Sequence, residues 1–179
     1  MTKVLIMTEG SDELAFLEVA LDKDLLKYNK SDLLYEEVIH ARQIREDLIA
    51  RIQLLEPNVK IKIVRVGDKI SDKLRIPKEI KRRVIDTVDD YCTTPEFEML
   101  MIIKEGMFNE YNKVKSQKKP SEFYMAKHPD YHKSREYVSA YFESLSITEF
   151  SSLLKEYEEK RGKTIPCGKN SIYHLFDID

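Results

Sequence analysis

The chain has 179 residues, 42% hydrophobic and 35% charged, with a formal net charge of −2. That suits one domain with a real core and excludes disordered, collagenous and disulfide-scaffold classes. No apolar stretch approaches the roughly 18 residues of a membrane span.

Val4–Met7 is too short for the apolar region of a signal peptide, so export is not expected. Cys92 and Cys167 match no zinc or redox spacing and are read as reduced thiols, which points to the cytoplasm. Neutral overall charge conceals an uneven distribution. Between Lys60 and Arg83 there are ten Lys/Arg against Asp68, Asp72 and Glu79, and a second basic stretch runs through Lys113, Lys115, Lys118 and Lys119. A basic surface of this kind can follow a phosphate backbone, and its plain alternative is a solvated face.

Val4–Thr8 is an apolar run that stops at Glu9-Gly10 and reads as a buried strand. The glycine is expected to serve the turn. Ser11 or Asp12 caps the next helix, whose apolar face is Leu14, Leu17, Val19 and Leu21. Leu33–Ile39 fits a short strand or a helix start. Arg42–Leu55 carries Ile44, Leu48, Ile52 and Leu55 at helical steps, and Pro57-Asn58 ends it. Lys60–Val66 alternates as a strand and Gly67 breaks it. Lys81–Val88 reads as a further strand with Asp86, Asp89 and Asp90 at its end. Thr94 and Pro95 predict an N-cap and first helical position before Phe97, Leu100, Met101 and Ile103. Gly106 closes that helix. Ser134–Leu145 is helical, Ser146-Ile147-Thr148-Glu149 is a capping box, and Gly162 ends the helix it opens. Ser171–Ile178 is apolar enough to dock on the core.

Strands alternating with helices imply a mostly parallel α/β sheet of about four strands. The expected division is a core over 1–106 and a helical extension over 107–179 packed on it. Function in such sheets sits at the carboxyl ends of the strands, which brings Glu9 and the Asp86–Asp90 group to one edge. Converging carboxylates need a cation or a proton, and oxygen ligands of this type suit Mg²⁺ or Mn²⁺. Acids that merely end strands and cap helices are the plain alternative. His128 and His132 lack a third metal partner, and Pro129 disfavours a helix there.

The stretch "TEGSDELAFL" resembles the first motif of TOPRIM domains, an apolar strand, then Glu-Gly, then an acid and an apolar helix. "VIDTVDDYCTTPEFEMLMIIKEG" resembles the later part of small TOPRIM-like proteins of phage defence, the RloB type among them. The likeness covers residues 1–106. It implies a TOPRIM-like, Rossmann-like fold and a Mg²⁺-dependent nuclease acting on RNA or DNA in antiviral defence. Glu9 would work as acid, base or metal ligand, with Asp86 and Asp90 as catalytic metal ligands and Glu98 as an additional one. The family's Asp-x-Asp pair is absent, and Asp86 and Asp90 are the acids expected to stand in for it. Arg65, Lys69, Lys73, Arg82, Arg83, Lys118 and Lys119 would contact nucleic acid. The alternatives are a non-catalytic TOPRIM-like partner of a defence protein or nucleic acid, and a receiver-like domain with Asp68 as phosphoacceptor.

Overall fold

The computed structural model describes residues 1–68, 70–162 and 168–178. Lys69 and Cys167 lie outside the described residues, and so does the side chain of Asp86. The strands are β1 (Thr2–Thr8), β2 (Ile39–His40), β3 (Lys60–Gly67), β4 (Val84–Cys92) and β5 (Asn170–Ser171). They form one sheet in the order β2-β1-β3-β4-β5, and every pairing is parallel. The helices are α1 (Ser11–Asp22), α2 (Glu46–Gln53), α3 (Met99–Lys104), α4 (Phe108–Val114), α5 (Pro120–Lys127), α6 (Arg135–Glu143) and α7 (Ile147–Lys160).

Alternate residues of β1 and β3 feed two apolar layers, as strand geometry requires. Leu5, Met7, Ile61 and Ile63 pack with Leu48 and Ile52 of α2. Val4, Ile6, Val64 and Val66 face α1 and the helices that follow β4. Phe16 of α1 binds that second layer together. Its ring lies 4.8 Å from Phe142, 5.1 Å from Phe150, and 5.5 Å from both Phe97 and Phe176. The C-terminal helices and tail therefore share one core with the sheet.

Ser146 opens α7 as expected, its hydroxyl accepting from the Glu149 amide while Glu149 accepts from the Ser146 amide. Three local readings change. The sheet has five strands where about four were expected: β2 starts at the last residue of the Leu33–Ile39 stretch, β5 is the addition, and each is only two residues long. β4 runs on to Cys92, so Asp89 and Asp90 lie inside a strand. Thr94-Pro95 is a cis peptide in the loop before α3, which begins only at Met99. No helix among the described residues is long and apolar enough to cross a membrane.

The strand order reverses direction at β1, whose neighbours are β2 and β3. The crevice outside the carboxyl ends of β1 and β3 is the switch point where ligands of open α/β sheets bind.

Candidate catalytic site

Glu9 continues β1 by one residue, its amide donating to the Val66 carbonyl at 3.0 Å. Its side chain lies flat across Gly67. A Cβ there would come within 2.7 Å of Glu9 Oε2 and 2.8 Å of its Cγ. Gly10 has φ −110° and ψ 158°, extended backbone open to any residue, so the turn does not require it. Glu13 supplies the reason for that glycine. Its carboxylate folds back over Gly10, where a Cβ would overlap it. Both glycines thus make room for a carboxylate.

Glu13 is 6% exposed. Thr93 Oγ1 donates to it at 3.2 Å. Burial, with the neighbouring Asp12 and Asp68 charges adding to it, pushes its pKa up to about 7. Burial and the Asp72 charge also raise Glu9, against the pull of Arg42 and Arg65.

Arg65 organises the second part of the site. It belongs to β3 and is only 3% exposed, its guanidinium enclosed by carboxylates. It donates to the Asp72 carboxylate at 2.8 Å and to the Asp72 carbonyl at 3.0 Å. Glu9 lies 3.5 Å away and Asp90 3.9 Å away. Asp90 sits opposite Arg65 in the β3–β4 register. Burial raises its pKa, and Arg65 and Lys169 oppose the rise. Its Oδ1 accepts no hydrogen bond from the described residues.

A third group closes the far wall. The Tyr131 hydroxyl lies 2.9 Å from Asp12 and 3.3 Å from Glu98 and shares its one proton between them. Tyr131 and Glu98 are each 2% exposed. Lys133, held at φ 51°, reaches Glu98 at 2.7 Å.

Two adjoining hollows of about 320 and 390 Å³ open over these groups and share Gly10, Glu13, Arg42 and Asp68. Glu9 and Asp72 line one, and Glu98 and Lys133 the other. A further hollow of about 430 Å³, lined by Lys115, Lys118 and Lys119, shares Glu96 with the Lys133 hollow.

The expected set of Glu9, Asp86, Asp90 and Glu98 does not assemble. In the β3–β4 pairing Ile61 meets Val84 and Ile63 meets Val88, so Ile85–Thr87 bulge opposite Lys62. Lys62 pairs with Val4, which sets the Asp86 backbone about 16 Å along the strands from Glu9 at ~3.3 Å per residue. Glu98 belongs to the Tyr131 group. Glu9 and Asp90 do share an edge, but a guanidinium lies between them where a cation was expected. Among the described residues no three carboxylate, imidazole or thiol groups are placed to hold a metal ion. The described residues as arranged do not fit the expected Mg²⁺ or Mn²⁺.

The basic residues also divide. Arg65 is too buried to meet a phosphate backbone, which corrects its expected role. Arg83 donates to the carbonyls of Glu56 and Leu55 at 2.7 and 3.0 Å. Arg82 and Arg83 precede Val84, at the end of the sheet away from the cleft. Lys73 is exposed beside Asp72. Lys118 and Lys119 line the hollow next to the cleft.

Asp12, Glu13, Arg42, Tyr131 and Lys133 were not singled out as site residues, and Asp68 entered only as a receiver phosphoacceptor. The signal for Asp68 was present, because Val66-Gly67-Asp68 repeats the apolar-run-then-acid pattern of the first strand. Searches against protein-family models, curated proteins and solved structures give no match. The likeness to TOPRIM domains therefore stands on the quoted residues alone.

Proposed function

We propose that this chain is a nuclease that cleaves phosphodiesters in the cleft between β1 and α1. The observation that carries this reading is the pair Glu9 and Glu13. Both line one open hollow at the switch point, both have a raised affinity for protons, and Arg42 lines the same hollow. Groups tuned toward neutrality in a cleft are candidates for proton transfer. Glu13, near half-protonated at pH 7, suits the general acid, and Glu9 the base. Arg42 and Lys133 supply positive charge for a phosphate. The setting in antiviral defence follows from the resemblance only.

The test is purified protein against total RNA, tRNA and plasmid DNA, with and without EDTA. Glu13→Gln and Glu9→Gln are expected to lose 10²–10⁴-fold in rate, the ordinary worth of a general acid or base. Wild-type protein that cleaves none of the three substrates sinks the reading. Exchanging Lys115, Lys118 and Lys119 for Gln should flatten the slope of log affinity against log salt by about two on a single-stranded oligonucleotide, at ~0.7 per phosphate contact.

Two observations favour other readings. The ion pairing of Glu9 and Asp90 with Arg65 favours a non-catalytic partner, which cleaves nothing and binds unchanged when Glu13 is replaced. The order 2-1-3-4-5 is that of receiver-type sheets, with Asp68 just past β3 and Lys169 just before β5. Acetyl phosphate followed by mass mapping of Asp68 decides that reading.

A further inference from the structure

We infer that the polymer cut in this cleft is RNA, attacked by its own 2′-hydroxyl, with Arg65 instead of a divalent cation balancing the acidic edge. This inference rests on the nuclease reading. Cation-assisted hydrolysis uses a metal held by converging carboxylates to activate water. Here Glu9, Asp72 and Asp90 converge on the Arg65 guanidinium, at 3.5, 2.8 and 3.9 Å. An arginine keeps its charge at every working pH. A second cation among these oxygens would sit beside a fixed positive group and gain correspondingly less.

Water without a metal is a poor nucleophile, since its own pKa is about 15.7. RNA removes that need because its nucleophile is attached one sugar carbon from the phosphate ester. Intramolecular attack of this kind reaches effective molarities of about 10⁵–10⁸ M. DNA carries no such group.

The step balances with the groups present. The 2′-oxygen bonds to phosphorus as a carboxylate takes its proton. The bond from phosphorus to the 5′-oxygen breaks, and a carboxylic acid protonates that oxygen. The products are a 2′,3′-cyclic phosphate and a 5′-hydroxyl, with no water, oxidant or cofactor consumed. Glu9 and Glu13 line one hollow and supply the two proton positions. Arg42 lines both hollows and faces the charge that develops on the phosphate oxygens.

Of the acids that remain besides Asp68, three already have partners, which moderates their repulsion of a polyanion. Glu98 is paired with Lys133, Asp12 is bonded by Tyr131, and Glu96 accepts from the Ser121 amide at 3.0 Å. Lys115, Lys118 and Lys119, none ion-paired among the described residues, line the next hollow and give the strand a way out.

The experiment gives the protein three oligonucleotides of one sequence, in EDTA and separately in Mg²⁺: single-stranded RNA, DNA, and RNA with a 2′-deoxy sugar at the cleaved linkage. Mn²⁺ binding is followed in parallel by electron paramagnetic resonance on wild type, Glu9→Gln and Asp90→Asn. The expected result is RNA cut in EDTA to ends that mass spectrometry identifies as 2′,3′-cyclic phosphate. The other two oligonucleotides stay whole, and the two variants bind as much Mn²⁺ as wild type. Cleavage of DNA or of the 2′-deoxy linkage overturns the inference, as does cleavage that needs metal or Mn²⁺ binding lost with Glu9 or Asp90. The nuclease reading survives each cleavage result. Wild-type protein that cuts no RNA or DNA with metal or without it overturns both.

Discussion

Two acidic groups flank the same cleft and are neutralised by different means. Glu9, Asp72 and Asp90 surround a guanidinium fixed inside a strand. Asp12, Glu13 and Glu98 are served by two hydroxyls, one half-exposed lysine and a proton. An arginine charge does not titrate, so the first group is held around a fixed charge. A proton comes and goes with pH, so Glu13 is the titrating member of the second group, and on the proposed reading it works across the hollow from Glu9. The contrast sets a titrating group on the α1 side of the cleft against a fixed charge on the β3 side.

The sharpest way to break this comparison is to remove the guanidinium. Arg65→Met leaves Glu9 and Asp90 half-buried with only the more distant Arg42 and Lys169 charges to offset them. Breaking a buried pair from one side costs about 3–5 kcal/mol, and the partial exposure of the three carboxylates places the loss toward about 3. Urea denaturation measures it. An unchanged midpoint would show that the edge is not held by Arg65.

Comparable in size is the pH dependence carried by Glu13. Its ordinary value of 4.5 rises to about 7 in the folded chain. Below about pH 4.5 both states are protonated and nothing is lost. Between 4.5 and 7 the unfolded chain releases its proton first, so stability falls as pH rises, and above about 7 the loss is complete. At about 1.4 kcal/mol per unit the full loss is somewhat over 3 kcal/mol. Glu13→Gln should be more stable than wild type at pH 8 and should lose this part of the slope. Identical slopes for the two proteins would remove Glu13 from the protonic side.

Tyr131→Phe is a smaller perturbation. It takes the shared proton from Asp12 and Glu98 and leaves the ring, whose centroid lies 5.0 Å from that of Tyr124. Leaving buried polar groups unsatisfied costs about 1–3 kcal/mol, moderated here because Glu98 retains Lys133. Thermal melting of the variant checks it. A melting point equal to wild type would mean that water replaces the hydroxyl without loss.

The sequence made local features legible and long-range ones obscure. Val4–Thr8 and Lys60–Val66 show as strands because their own residues set the pattern. The Ser146 box shows because both partners lie within one turn. β2 and β5 are too short to hold a period, and only neighbouring strands stabilise them. In the site, Glu9 was legible from Glu-Gly after an apolar run. Its partners were not, because the pairing of β1 with β3 brings Asp68 and Arg65 beside it across more than fifty residues. The bulge at Ile85–Thr87 changes the strand register of Asp86 against Asp90, and register depends on pairing partners that spacing alone does not name.

The smallest expected effect on stability tests the cleft most finely. Gly10 sits in backbone that alanine adopts freely, so Gly10→Ala should change stability by less than about 1 kcal/mol through the backbone alone. The new methyl occupies the place of the Glu13 carboxylate, which swings away from Thr93 toward solvent and recovers an ordinary carboxylate pKa. The neutral-range pH slope of stability should then vanish, as it does in Glu13→Gln, while the Glu13 carboxylate itself is retained. Gly67→Ala offers the matching change on the other side. Its methyl meets Glu9 Cγ as well as the carboxylate, so the whole side chain must leave and its approach to Arg65 is lost. If the neutral-range slope disappears in Gly10→Ala and persists in Gly67→Ala, the proton belongs to the α1 side and the fixed charge to the β3 side. The reverse pattern would exchange the two roles.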